Sequence, residues 1–164
     1  IAENKVKYTK VSGIFELRNK ISNYLKQKRN VVYKADEIIC TSGAKHAIFE
    51  SLQCICNPND EVIIPAPFWV SYPDMVLLAG GKPKTVKCSE DDGFKLTPKK
   101  LKKAITKKTK WLILNSPSNP TGSSYTKDEI ENLSKVLIKN KKVHILSDDI
   151  YEHITYDNFN FFIL

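Results

Sequence analysis

Arginine is nearly missing from this 164-residue chain: Arg18 and Arg29 are the two present, and the other 24 of the 26 basic residues are lysine. The net charge of +8 invites an acidic partner such as nucleic acid. Direct reading of base edges leans on arginine, however, and the sequence offers no stacking platform or nucleic-acid motif. A basic nucleic-acid binder therefore ranks last among the readings. No apolar run approaches the roughly 18 residues of a membrane span, so no transmembrane helix and no membrane partner are expected. There is no C-x-x-C pair, and no histidine stands at ligand spacing from a cysteine pair, which argues against zinc; no metal ligand is assigned. Cys40, Cys54, Cys56 and Cys88 are read as buried free thiols in a reducing compartment, so the expected location is the cytoplasm. The first residue is Ile1 and no signal-peptide pattern follows, so the chain is expected to begin inside a longer protein.

What is present suits a soluble domain of ordinary size: 41% of residues are hydrophobic and 27% are charged. Helical spacing of Ile14, Leu17, Ile21, Tyr24 and Leu25 predicts a helix over residues 13–29. "DEIICTSG" (36–43) reads as a short strand stopped by a polar turn, and residues 42–60 as a helix with Ser42 as its N-cap, ended by "NPND". "EVIIPAPFW" (61–69) is a continuous apolar strand entering a proline-rich turn, and "VSYPDMVLLAGG" (70–81) a helix ending on glycines. A strand near "KPKTVKC" follows. "KKLKKAITKKTK" (99–110) reads as a helix with Leu101, Ala104 and Ile105 inward and a solvated lysine face. "KWLILN" (110–115) is a buried strand. Residues 126–142 form a helix opened by a Thr126–Glu129 capping box, and "VHILSDDIY" (143–151) is a strand with acids at its exit. Strands alternating with helices, and strands apolar on both sides, predict an α/β fold: a mostly parallel sheet covered on both faces, a three-layer sandwich.

In such sheets ligands bind beyond the carboxyl ends of the strands. The residues expected there are Ser42-Gly43-Ala44-Lys45 at a helix start, Ala66-Pro67-Phe68-Trp69, the run Asn115 to Gly122 with Asn119, and Asp148 with Tyr151. Backbone N–H groups at a helix start suit a phosphate, although the P-loop pattern is absent. Singly, each has a plain alternative: Ser42-Gly43 as a cap and tight turn, Trp69 as core, Asp148 as a strand-end turn residue. Their joint placement on one rim is the signal. Ala66-Pro67 and Asn119-Pro120 are candidate cis bonds.

"TSGAKHAI" (41–48), "PAPFWVSYPDMV" (65–76), "NPTG" (119–122) and "SDDIYEHI" (147–154) together resemble the fold-type I pyridoxal-phosphate-dependent aminotransferases. The closest resemblance is to bacterial aspartate aminotransferases, including the branch that also accepts prephenate; "KYTKVSGIFELR" (7–18) matches the segment upstream. The resemblance implies pyridoxal 5'-phosphate as cofactor, amino-acid and 2-oxo-acid substrates, and amino transfer from L-aspartate to 2-oxoglutarate. It implies that Asp148 pairs with the pyridine nitrogen, that Asn119 and Tyr151 hold the ring oxygen, and that Trp69 stacks on the ring. Gly43, Ala44 and Lys45 would hold the phosphate through backbone N–H groups. Trp69, Asn119 and Lys45 would also meet the substrate, Asn119 at its α-carboxylate and Lys45 at a distal carboxylate. Tyr8 would reach the phosphate of a neighbouring subunit, which implies a homodimer at full length.

The resemblance also shows what is missing. The lysine that forms the family's Schiff base belongs after Asp148 in a Ser-x-x-Lys setting, yet the 13 residues beyond Tyr151 contain no lysine. Ser134-Lys135 precedes Asp148 in a solvated helical pattern and does not qualify. The arginines for the cofactor phosphate and the α-carboxylate are absent too, as are the N-terminal arm and the small domain. Residues 1–164 are thus expected to be part of a large, cofactor-binding domain, inactive alone. The alternative is a non-catalytic remnant or subunit-interaction module.

Overall fold

The computed structural model describes residues 8–164 and divides the chain into two units, which meet at Ala47 and Ile48. The first unit carries helix α1 (Phe15–Arg29). Arg18 is the buried residue on this helix. Its guanidinium donates to the carbonyls of Gly13 (3.2 Å) and Ala35 (2.6 Å) and reaches Asp36 Oδ1 at 3.3 Å. Gly13 must be glycine here: its φ is +90°, and a Cβ would fall 2.8 Å from the Cβ of Cys40. The apolar spacing correctly predicts the helix but not its burial, since Ile14 and Leu17 remain about half exposed.

The strand expected over 36–43 is not formed. A short 3-10 turn occupies Ala35–Glu37, and the chain beyond is irregular. Cys40 N–H donates to Ser12 O and Gly43 N–H to Thr41 O, and neither bond belongs to a strand ladder. Ile39 is exposed. Without a pairing neighbour, β-branched residues cannot hold a strand. Helix α2 (Ala44–Ile55) starts two residues after Ser42, so Gly43, with φ +90°, occupies the cap position expected of Ser42.

The second unit is built on four strands: β1 (Glu61–Ala66), β2 (Lys82–Lys87), β3 (Thr109–Asn115) and β4 (His144–Asp148). All three pairings are parallel, in the order β2-β1-β3-β4. Parallel neighbours need crossovers, and helices supply them: α3 (Ser71–Leu78), α4 (Pro98–Ala104) and α5 (Lys127–Leu137). The chain leaves β1 towards β2 and then returns past β1 to β3 and β4. With right-handed crossovers, that reversal puts α3 on one face of the sheet and α4 and α5 on the other.

Alternate side chains of the central strands serve the two faces. Val62, Ile64, Trp111 and Ile113 pack with Ile48 and Leu52 of α2 and with Tyr72, Met75 and Val76 of α3. Ile63, Leu112 and Leu114 pack with Leu101 of α4 and Ile130, Leu133 and Leu137 of α5. The lysine-rich helix is shorter than its pattern suggests: Thr97 caps it and it ends at Ala104. Leu101 and Ala104 are buried while Lys99, Lys102 and Lys103 are exposed, the amphipathic arrangement expected of it. The Thr126–Glu129 capping box forms, with Thr126 N–H donating to Glu129 Oε2 at 2.8 Å. All four cysteines are free thiols, but only Cys88 is buried; Cys54 is exposed because it falls on the outer face of α2.

Candidate active site

The strand order reverses between β1 and β3, so their carboxyl ends diverge into a crevice where open α/β sheets bind ligands. Three exits converge there. From β1 the chain turns through the cis Ala66-Pro67 bond into α3. From β3 it runs through Ser116-Pro117 and Asn119-Pro120, both also cis. The two cis bonds expected at Pro67 and Pro120 are thus present, and the one at Pro117 is additional. From β4, Asp148 leads into the turn that carries Tyr151.

Trp69 sits at the entrance to α3, and its ring meets the Tyr72 ring edge to face, 5.4 Å between centroids. The Tyr72 hydroxyl donates to Oδ2 of Asp148 at 2.6 Å, and Ile150 N–H donates to Oδ1 at 3.3 Å. Tyr72 is 2% exposed, and its phenol is pushed well above the ordinary tyrosine range. Burial is the main cause, followed by the bond to Asp148 and then the charges of Asp148 and Tyr151. The phenol therefore keeps its proton and donates a hydrogen bond to Asp148.

Asn115, the last residue of β3, uses both ends of its amide. Nδ2 donates to the carbonyl of Asp148 at 2.8 Å, and Oδ1 accepts the backbone N–H of Asn119 at 2.8 Å. At this rim lies a small cavity of about 20 Å³, lined in part by Tyr72, Asn115, Asn119 and Tyr125. It has room for about one water. Anything the size of an aromatic ring must lie outside it, on the open rim.

Trp69, Asn119, Asp148 and Tyr151 all stand at the carboxyl ends of strands in the second unit, as their positions in the sequence suggested. Gly43, Ala44 and Lys45 belong to the first unit, at the start of α2, with Thr41 Oγ1 donating to Gly43 O at 2.9 Å. Tyr8 belongs to the first unit as well and is fully exposed. Sequence reasoning passed over Tyr72 and placed Asn115 on the rim without giving it a role. Tyr72 had a signal, since it is a second aromatic residue three positions after Trp69, at the start of the expected helix. Asn115 had another: a polar residue ending an otherwise apolar strand.

The family model for aminotransferases of class I and II matches residues 2–163. The chain belongs to this family, whose cofactor is pyridoxal 5'-phosphate. Among curated proteins it is similar to the probable aspartate/prephenate aminotransferase of Rickettsia conorii, at 50% identity over all of this chain and 41% of that protein. The aspartate aminotransferase of Bacillus subtilis is 49% identical over 94% of this chain and 39% of its own length. Among solved structures, the aspartate aminotransferase of Rhizobium meliloti superposes with a TM-score of 0.96 at 41% identity, covering 99% of this chain and 40% of that one. The Thermus thermophilus enzyme with maleate gives 0.93 at 39% identity, covering 98% and 42%. The chain thus spans about two fifths of the relatives it matches.

Proposed function

We propose that residues 1–164 are part of the cofactor-binding large domain of an aminotransferase that moves the amino group of L-aspartate to 2-oxoglutarate. The carrying observation is the Asp148 carboxylate, fixed at the end of β4 by Tyr72 and Ile150, on the rim that also bears Trp69, Asn119 and Tyr151. This donor set fits pyridoxal phosphate: a carboxylate for a ring nitrogen, an amide and a phenol for a ring oxygen, and an indole for a flat face. When bound, the cofactor supplies an electron-poor ring that stabilises negative charge at the substrate's α-carbon.

The chain's own residues set the conditions. The charge on Asp148 keeps a proton on a ring nitrogen beside it. Tyr72 orients that carboxylate without competing for the proton, because its own proton is held tightly. Asn119 and Tyr151 hold the ring oxygen, and Asn119 takes a substrate α-carboxylate. Trp69 covers one ring face and limits water there. The backbone N–H groups of Ala44 and Lys45 bind a phosphate at the start of α2, and that of Gly43 joins them once it leaves the Thr41 carbonyl. The Lys45 side chain takes the distal carboxylate of a dicarboxylic substrate; the Thermus relative is described with maleate, a dicarboxylate. Full-length copies pair as homodimers, with Tyr8 crossing to the partner. No lysine follows Tyr151, so the chain alone binds the cofactor without turning over substrate.

The two tryptophans provide the test. Pyridoxamine 5'-phosphate is the probe, because it lacks the aldehyde that would react with surface lysines. Binding should quench tryptophan emission. Trp69→Phe should remove most of the quench and Trp111→Phe should leave it. An unchanged quench in Trp69→Phe, or steady turnover of aspartate with 2-oxoglutarate by the chain alone, would overturn the reading.

A further inference from the structure

The loop from Ser116 to Gly122 contains two prolines, which have no N–H, so few backbone donors are left to anchor it. Ser118 N–H bonds to Ser123 O and Gly122 N–H to Ser118 O, both within the loop or its immediate continuation. Two bonds tie this loop's backbone back towards the sheet. Ser116 N–H reaches the Asp148 carbonyl at a long 3.4 Å, and Asn119 N–H reaches the Asn115 side chain at 2.8 Å. The same Asn115 side chain donates to the Asp148 carbonyl at 2.8 Å. Asn115 and Asp148 are also cross-strand partners in the β3–β4 ladder.

We infer that Asn115 is a positioning residue: its amide fixes the spacing between Asn119 and Asp148, the two residues that would hold the cofactor's ring oxygen and ring nitrogen. The inference rests on the cofactor reading above. Few side chains can do this. One planar group must donate at one end and accept at the other, at the length of a single methylene. Aspartate keeps the acceptor and loses the donor. Alanine loses both.

These half-bridges define the experiment. In the chain without cofactor, the Asn119 amide should exchange slowly with solvent. Exchange should accelerate about tenfold in Asn115→Ala and stay slow in Asn115→Asp. With pyridoxamine 5'-phosphate, both variants should bind about tenfold more weakly than the unaltered chain. In Asn115→Ala, titration of the bound ring's phenol, followed by absorbance, should move towards its value in free solution, because Asn119 no longer reaches the ring oxygen. A role in folding alone would lower the denaturation midpoint and leave that titration in place. Asn115→Asp keeps the test open if Asn115→Ala fails to fold. Unchanged Asn119 exchange in Asn115→Ala overturns the bridge. Unchanged ring titration and affinity in folded variants overturn the positioning role. Failure of the unaltered chain to bind the probe, with Asn119 still protected by Asn115, overturns the cofactor reading and with it the role, leaving the bridge as architecture.

Discussion

The hydroxyl of Tyr72 and the carboxylate of Asp148 lie 2.6 Å apart, joining the first turn of α3 to the end of β4 across the rim of the sheet. The two residues are 76 positions apart in sequence. A charge-assisted bond of this kind contributes roughly 1.5–3 kcal/mol. Tyr72→Phe should therefore destabilise the chain by about 1–3 kcal/mol, read from its urea midpoint.

Alkaline pH should expose the same relationship. Burial raises the phenols of Tyr72 and Tyr125 above the value they have in the unfolded chain. A raised acid contributes stability that is fully present below the unfolded pKa, about 10, and is lost as pH climbs above it. Burial raises the thiols of Cys56 and Cys88 as well, so stability should begin to fall above about pH 8.5 and fall more steeply beyond about pH 10. Tyr72→Phe should fall less steeply there. An equal slope in both proteins would count against a buried, protonated Tyr72.

Acid should act at the opposite end of the sheet. Glu61, at the start of β1, accepts from Thr106 at 2.7 Å, from Lys84 at 2.9 Å and from Thr109 at 3.4 Å. The Thr106 bond, joined by those from Lys84 and Thr109, holds its carboxyl below the ordinary range against the opposing effect of burial. A lowered carboxyl contributes stability above its unfolded pKa, about 4.3, that disappears as pH falls through the folded value. Glu61→Gln should be less stable than the parent at neutral pH, and the gap should close below about pH 4. A gap that persists in acid would point to lost packing instead.

The helices that cover the sheet give a contrast between cap, core and surface. Thr126→Ala removes the N-cap of α5 and should cost about 1 kcal/mol, with Thr126→Ser close to neutral. Leu112→Ala, at a fully buried position in β3, should cost about 2–5 kcal/mol. Lys102→Ala, on the exposed face of α4, should stay within about 0.5 kcal/mol of the parent. A large loss at Lys102 would mean that the lysine face does more than meet solvent.

Those positions also show what the sequence made legible. The apolar runs around Ile63 and Leu112 announced central parallel strands, because only a sheet covered on both faces tolerates them. Thr126 and Glu129 announced a helix start through their spacing. Asn119, Asp148, Trp69 and Tyr151 were legible as a rim because each follows such a strand. Residues 36–43 misled because β-branched content marks a strand only where a neighbour pairs with it. Ser42 misled because Gly43 reaches the cap position through a positive φ. Tyr72 and Asn115 were illegible in role, since their partners are set by the strand order and not by any local spacing. The burial of Arg18 depends on carbonyls of Gly13 and Ala35, which no periodicity encodes.

The central claim is that Asp148 stands ready for a ring nitrogen, and equilibrium titration with pyridoxamine 5'-phosphate tests it most directly. The unaltered chain should bind saturably at one site, and Asp148→Asn should weaken that binding roughly tenfold to a hundredfold while the chain stays folded. Binding that is absent, or that is as tight in folded Asp148→Asn as in the parent, would contradict it.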